Sequence, residues 1–194
     1  MERIIEKRST RMISFVAAVL LAASLLLQGC AGNGAESTVK ADLEALRNAE
    51  IDKQVSEELE GMLSASGRED LKTVLGKIGE FEYEITDSHP SEGDESEEIV
   101  TVRIKTYSFG WEYLRTWNGY LEDKNEEEFD QKEFYDMLMK NLSGLESKSY
   151  YKDVEIECTD DGDGEWQSDA SYNKELKDAI LGGMLTEIEA LADL

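Results

Sequence analysis

From Val39 onwards the apolar residues return at helical spacing, first as Val39, Leu43 and Leu46 and then as Ile51, Val55, Leu59 and Met62. This predicts two helices, or one that bends near Asn48. Ser64 to Gly67 interrupts the pattern, and Leu71, Val74, Leu75 and Ile78 make a third stripe that Gly79 ends. The period then falls from 3.6 to 2. Phe81, Tyr83 and Ile85 alternate with Glu80, Glu82 and Glu84, the signature of a strand with one wet face. Residues 87–97 hold the only proline, Pro90, and the only histidine, His89, and read as an exposed loop. A second strand follows over Ile99 to Tyr107, with Val100, Val102 and Ile104 on one face and Thr101, Arg103 and Lys105 on the other. The simplest arrangement is a long-looped antiparallel hairpin in which glutamates of the first strand face the two cations of the second.

Tyr107 to Tyr120 is the most aromatic stretch of the chain. Phe109, Tyr113, Trp117 and Tyr120 share one helical face, with Leu114 and Leu121 beside it. Such a stripe either packs into a core or, with Tyr83 and Trp166, lines a pocket. Beyond the acidic residues 122–128 another helix is expected, turning Phe134, Tyr135, Leu138, Asn141, Leu142 and Leu145 inward and ending near Ser143-Gly144. A third strand over Tyr150 to Cys158 places Val154, Ile156 and Cys158 inward and Asp153, Glu155 and Glu157 outward. The Asp-Gly pairs of residues 160–164 mark a tight connection to a short fourth strand around Trp166. Read instead as a calcium loop starting at Asp161, the segment carries Asp163 and Glu165 at the right spacing, but Trp166 and Tyr172 occupy the positions that require glycine and glutamate. The last element is a helix from about Asn173 bearing Leu176, Ile180, Met184, Ile188 and Leu191. Its central Gly182-Gly183 costs about 1 kcal/mol per residue relative to alanine, so a bend or a close approach is expected there.

Ahead of these elements, Arg3, Lys7, Arg8 and Arg11 precede the uncharged run Ile13–Leu27. As a helix that run would span about 22 Å, short of the ~30 Å hydrocarbon core, which suits a secretory signal better than a permanent span. Leu27-Gln28-Gly29-Cys30 then resembles the lipobox of bacterial lipoproteins. The resemblance implies cleavage between Gly29 and Cys30 and a diacylglyceryl group on the Cys30 sulfur, which anchors the protein to the outer face of the cell membrane. Gln28 departs mildly from the small residue usual at its position. The chain thus divides into a signal peptide (1–29), a lipidated cysteine with a polar tether (30–38) and a single α+β domain (39–194).

Charge narrows the partners. The whole chain carries a formal charge of −24, and without residues 1–29 it keeps 16 basic against 42 acidic side chains, or −26. Nucleic acid and anionic headgroups are repelled by such a surface, whereas a basic protein, peptide or envelope component is attracted within a screening length of roughly 8 Å. With Cys30 acylated, Cys158 has no disulfide partner and reads as a small buried residue. Nothing in the chain points to nucleophilic catalysis, zinc, a phosphate loop or a cofactor, and none of these is expected: His89 stands in a polar loop far from Cys158 in the pattern. An alternative enzymatic reading gives Glu112, Tyr83 and Tyr113 a proton-transfer role in an apolar pocket. A third reading is an inhibitor or immunity-like protein that blocks a basic partner at the surface.

The order of elements, with Val102-Arg103-Ile104-Lys105-Thr106-Tyr107-Ser108-Phe109-Gly110, Gly164-Glu165-Trp166 and Leu181-Gly182-Gly183-Met184, resembles uncharacterised lipoproteins of Gram-positive, clostridia-like bacteria. Those domains are similar to the cystatin-like cone of nuclear-transport-factor-two-like proteins. The resemblance implies helices packed on a curved antiparallel sheet of about four strands, with a helical insertion between strands 2 and 3 and a C-terminal helix. It implies no reaction.

Overall fold

The computed structural model describes residues 34–49, 61–123, 129–162 and 164–192. In chain order these form α1 (Ala35–Arg47), α2 (Ala65–Gly79), β1 (Glu82–Ser91), β2 (Asp94–Thr106), α3 (Phe109–Asp123), α4 (Gln131–Ser143), β3 (Tyr150–Asp160), β4 (Trp166–Ser168), α5 (Lys174–Ile180) and α6 (Met184–Ala192). The fold is α+β, with one antiparallel sheet in the order β1-β2-β3-β4 and α3 and α4 inserted between its second and third strands. The expected signal segment, Cys30 and the stripe Ile51, Val55 and Leu59 lie outside the described residues; Met62 packs half-buried against the core.

Alternation along the strands sets the two faces of the sheet. Val102 stands between Ile85 and Val154, and Val100 between Ser88 and Ile156. Val100, Val102, Ile104, Val154, Ile156 and Cys158 are all buried. Helices α1 and α5 cover this apolar face, α1 crossing from β4 towards β1 and α5 lying over β2 and β3. Full burial of each such aliphatic side chain is worth about 1.5–3 kcal/mol, so the register is firmly fixed where the helices lie. Helices α2, α3, α4 and α6 extend the core, with α4 between α2 and α3 and with α6 on the other flank of α3.

Side chains also cap the helices. Ser64 accepts from Gly67 N at the start of α2, and the Asp136 carboxylate of α4 accepts from Ser64 N at 2.9 Å. Asp130 receives two backbone N–H groups of α4, and Asn173 receives Leu176 N at the start of α5. Asp178, buried on α5, accepts from Leu185 N, Thr186 N and the Thr186 hydroxyl, and so caps the neighbouring α6.

Four expectations need correction. Residues 87–97 are not a loop: the hairpin continues through them to a tight turn at Glu92-Gly93, where Gly93 has φ 92°. Most side chains there are exposed on both faces of the hairpin, so no apolar alternation is needed, and Pro90 is tolerated because β1 is an edge strand. The tether expected over residues 30–38 does not run through residue 38, since α1 begins at Ala35. Its first turn is packed, with Ala35 and Thr38 buried and the Thr38 hydroxyl donating to the Trp166 carbonyl at 3.3 Å. Ser64 to Gly67 is the cap and first turn of α2, and Gly67 is the small residue that admits Asp136.

The C-terminal helix, finally, is two helices. Gly182 and Gly183 take φ values of 58° and 81°, which reverse the chain between α5 and α6. At this point the backbone of Gly110 meets the turn, its N–H donating to the Gly182 carbonyl at 3.0 Å. A Cβ on Gly182 would lie 2.0 Å from the Tyr107 carbonyl oxygen, and one on Gly110 would lie 2.7 Å from the Gly183 carbonyl.

Candidate functional site

The aromatic residues expected to line a pocket are distributed rather than gathered. Tyr83 and Trp166 stand on opposite edge strands of the sheet, while Phe109, Tyr113 and Trp117 belong to α3. Tyr113 meets Phe134 edge-on at 6.4 Å between centroids, and Trp117 packs on Phe129 and, at 5.4 Å, on Phe134. Tyr120 joins the same cluster. The stripe therefore serves the contact between α3 and α4, because ring edges and faces satisfy each other there.

The proton-transfer set is no more convergent. Tyr83 donates to Glu44 at 2.8 Å across β1 and α1, and its phenol is pushed up to about 12 by burial and by that carboxylate. Tyr113 lies in the aromatic core, where burial raises its phenol strongly. Glu112 neighbours Tyr113 in sequence but leaves the helix in another direction. It is only 3% exposed, and the Arg115 guanidinium clasps it with N···O distances of 2.6 to 3.1 Å. Arg115 in turn lies over the exposed Trp111 ring at 5.7 Å. The Glu112 carboxylate is thus an ion-pair partner of Arg115, with the Thr116 hydroxyl as a further, long contact at 3.5 Å. The i,i+3 spacing of Glu112 and Arg115 is the one sequence signal that points to this pair.

The sheet face away from α1 and α5 offers a different kind of site. Its half nearest α3 is neutralised internally. Arg103 forks onto Asp153 at 2.7 and 2.8 Å, and Glu82 receives Lys148 at 2.9 Å and Lys105 at 3.0 Å. The Arg103 guanidinium holds the Asp153 carboxyl below the usual range, and Lys148 and then Lys105 do the same for Glu82. Tyr151 lies beneath the Lys105 ammonium at 5.9 Å.

Towards the hairpin turn the balance changes. Glu155 pairs across the ladder with Thr101, Glu157 with Ile99 and Glu97 with Thr159, so each carboxylate of this half faces a residue without charge. Glu97, Glu155 and Glu157 are exposed, and Ile99 and Thr101 are half-exposed between them. This acidic ledge with a small apolar centre can accept cations and alkyl stems of lysine or arginine. None of its residues stood out in the sequence as a site, although their outward direction was readable from the alternation.

Cys158 faces the core, and burial pushes its thiol up to about 12, which keeps it protonated and unreactive. In the turn after β3, Asp160 accepts from Gly162 N and Gly164 N at 2.9 and 3.1 Å, so this carboxylate organises the backbone of the turn. Among the described residues no three His, Cys, Asp or Glu side chains are grouped as metal ligands would be, and no helix is long and apolar enough to cross a membrane. Comparison with protein-family models, with curated proteins and with solved structures gave no match to this chain.

Proposed function

We propose that the chain is a lipoprotein anchored through Cys30 to the outer face of the cell membrane, where its domain binds a basic protein, peptide or envelope component and catalyses no reaction itself. The observation that carries the binding role is the acidic ledge of Glu97, Glu155 and Glu157 around Ile99 and Thr101, which has no cation of its own across the ladder. Each exposed contact of this kind is weak, about 0–1 kcal/mol, so a partner must present several cations at strand spacing. The Leu27-Gln28-Gly29-Cys30 sequence supports the anchor.

A deca-lysine peptide titrated into the protein, with backbone amide resonances recorded, tests the binding surface. Shifts are expected to concentrate on residues 97–101 and 155–157. Joint Glu155→Gln and Glu157→Gln substitution is expected to weaken binding several-fold, while Glu69→Gln on α2 leaves it unchanged. Equal weakening by both would mean that only the overall charge is being read, and the ledge assignment would be wrong.

A further inference from the structure

We infer that the anchor holds one particular end of the domain against the bilayer, so that the β1–β2 turn and the β3–β4 turn form its membrane-facing surface. This rests on acylation of Cys30 as proposed above, and goes beyond it by fixing an orientation. The start of α1 is the point of attachment. Ala35 and Thr38 are buried there, the Ala35 carbonyl lies 4.0 Å from Cys158 Sγ, and the Thr38 hydroxyl donates to the Trp166 carbonyl at 3.3 Å. The chain therefore enters the folded domain beside the last residues of β3 and the first residue of β4. Between this point and Cys30 stand only Ala31, Gly32, Asn33 and Gly34, which reach about 14 Å when fully extended.

The sheet is longer than that reach. Cys158 pairs across the ladder with Glu98, and β2 continues from Glu98 back to Asp94 before the turn at Glu92-Gly93. At about 3.3 Å per residue the turn projects about 16 Å beyond the attachment level. Projection and leash are thus of equal size, so a leash directed along the strands brings the hairpin turn to the level of the headgroups, whereas the far end of the sheet lies beyond its reach. The opposite end of the sheet, with the loop that carries Ser147 into β3 and the Gly110–Gly182 contact, is held more than the length of β2 away.

The chemistry of this surface selects its lipid. Glu92, Asp161 and Glu165 are exposed at the two turns. Repulsion from an anionic bilayer decays over roughly 8 Å at physiological salt, within the reach of the leash, so the turns stand off anionic lipid and approach zwitterionic lipid closely.

Purified acylated protein reconstituted in vesicles tests the arrangement. The protein takes a single fluorophore at Glu92→Cys, Glu165→Cys or Ser147→Cys, since Cys158 is buried and Cys30 is acylated. Energy transfer to a headgroup-linked dye is expected to be several-fold stronger from positions 92 and 165 than from 147 in phosphatidylcholine vesicles. Including anionic phosphatidylglycerol is expected to reduce it at 92 and 165. Intact mass reports the acyl group independently. An acylated protein with equal transfer from all three positions, or stronger transfer from 147, overturns the orientation alone. A protein without acyl mass at Cys30 overturns the anchor and the orientation together.

Discussion

At the scale of single residues, buried protonated groups make the fold sensitive to alkali. The Cys158 thiol is pushed up to about 12 by burial, against about 8.5 in an unfolded chain, and the Tyr83 phenol is pushed up to about 12 from about 10. Below pH ~8.5 both states keep these protons and the stabilisation is complete. Between that pH and about 12 the unfolded chain releases protons that the folded one retains, so stability falls as pH rises. The urea midpoint is expected to drop progressively from pH 8.5 to pH 11, with a shallower slope in Cys158→Ala; a flat midpoint over this range would contradict the burial argument. The inward position of Cys158 was readable from its alternation with Glu155 and Glu157. The burial of Asp42, which accepts the Ser168 hydroxyl at 2.6 Å, was not, because a polar residue satisfied by a distant strand looks like any solvated position in its helix. Glu112 was expected in a pocket and is instead held by Arg115 one turn along its own helix, a pairing that the i,i+3 spacing alone signals.

Elements were legible where one face is dry and lost where both are wet. The stripe from Leu71 to Ile78 and the inward sets of β2 and β3 match the structure, because helices α1 and α5 impose a period on the strands beneath them. The hairpin arms beyond Val100 have no such cover, and backbone pairing with a few polar contacts, such as Ser88 to Glu98, carries them, leaving no apolar signature. Gly182 shows how a composition signal can be right about cost and incomplete about purpose. Its positive φ and the Tyr107 carbonyl 2.0 Å from any Cβ make Gly182→Ala destabilising by about 3 kcal/mol, through backbone strain and a clash with no flexible side chain to yield. Gly119, in the middle of α3 with nothing within 4 Å of a Cβ, is expected to give the reverse sign, a gain of about 0.8 kcal/mol on substitution by alanine. Chemical denaturation of the two variants side by side checks both, and a neutral Gly182→Ala would refute the close approach.

For the molecule as a whole, charge outweighs any single ion pair. Residues 30–194 carry a formal charge of −26 and repel one another, whereas exposed pairs such as Arg103–Asp153 and Lys174–Glu189 each add little. Salt is therefore expected to stabilise. Raising ionic strength from about 10 mM to about 150 mM should increase stability by about 1 kcal/mol, seen as a Tm higher by about 3 °C. A lower Tm in salt would show that the surface pairs matter more than the repulsion. The α+β class and the insertion between the second and third strands followed from the sequence, since they depend on the period and order of segments. The acidic ledge did not, because it arises only when β2 and β3 come into register. The contact between Gly110 and Gly182 also joins positions 72 residues apart. A folding chain cannot close this junction until α3 and the turn between α5 and α6 have both taken shape. Its closure therefore carries the entropy cost of a long loop, and the junction belongs among the non-local contacts that slow the completion of a fold.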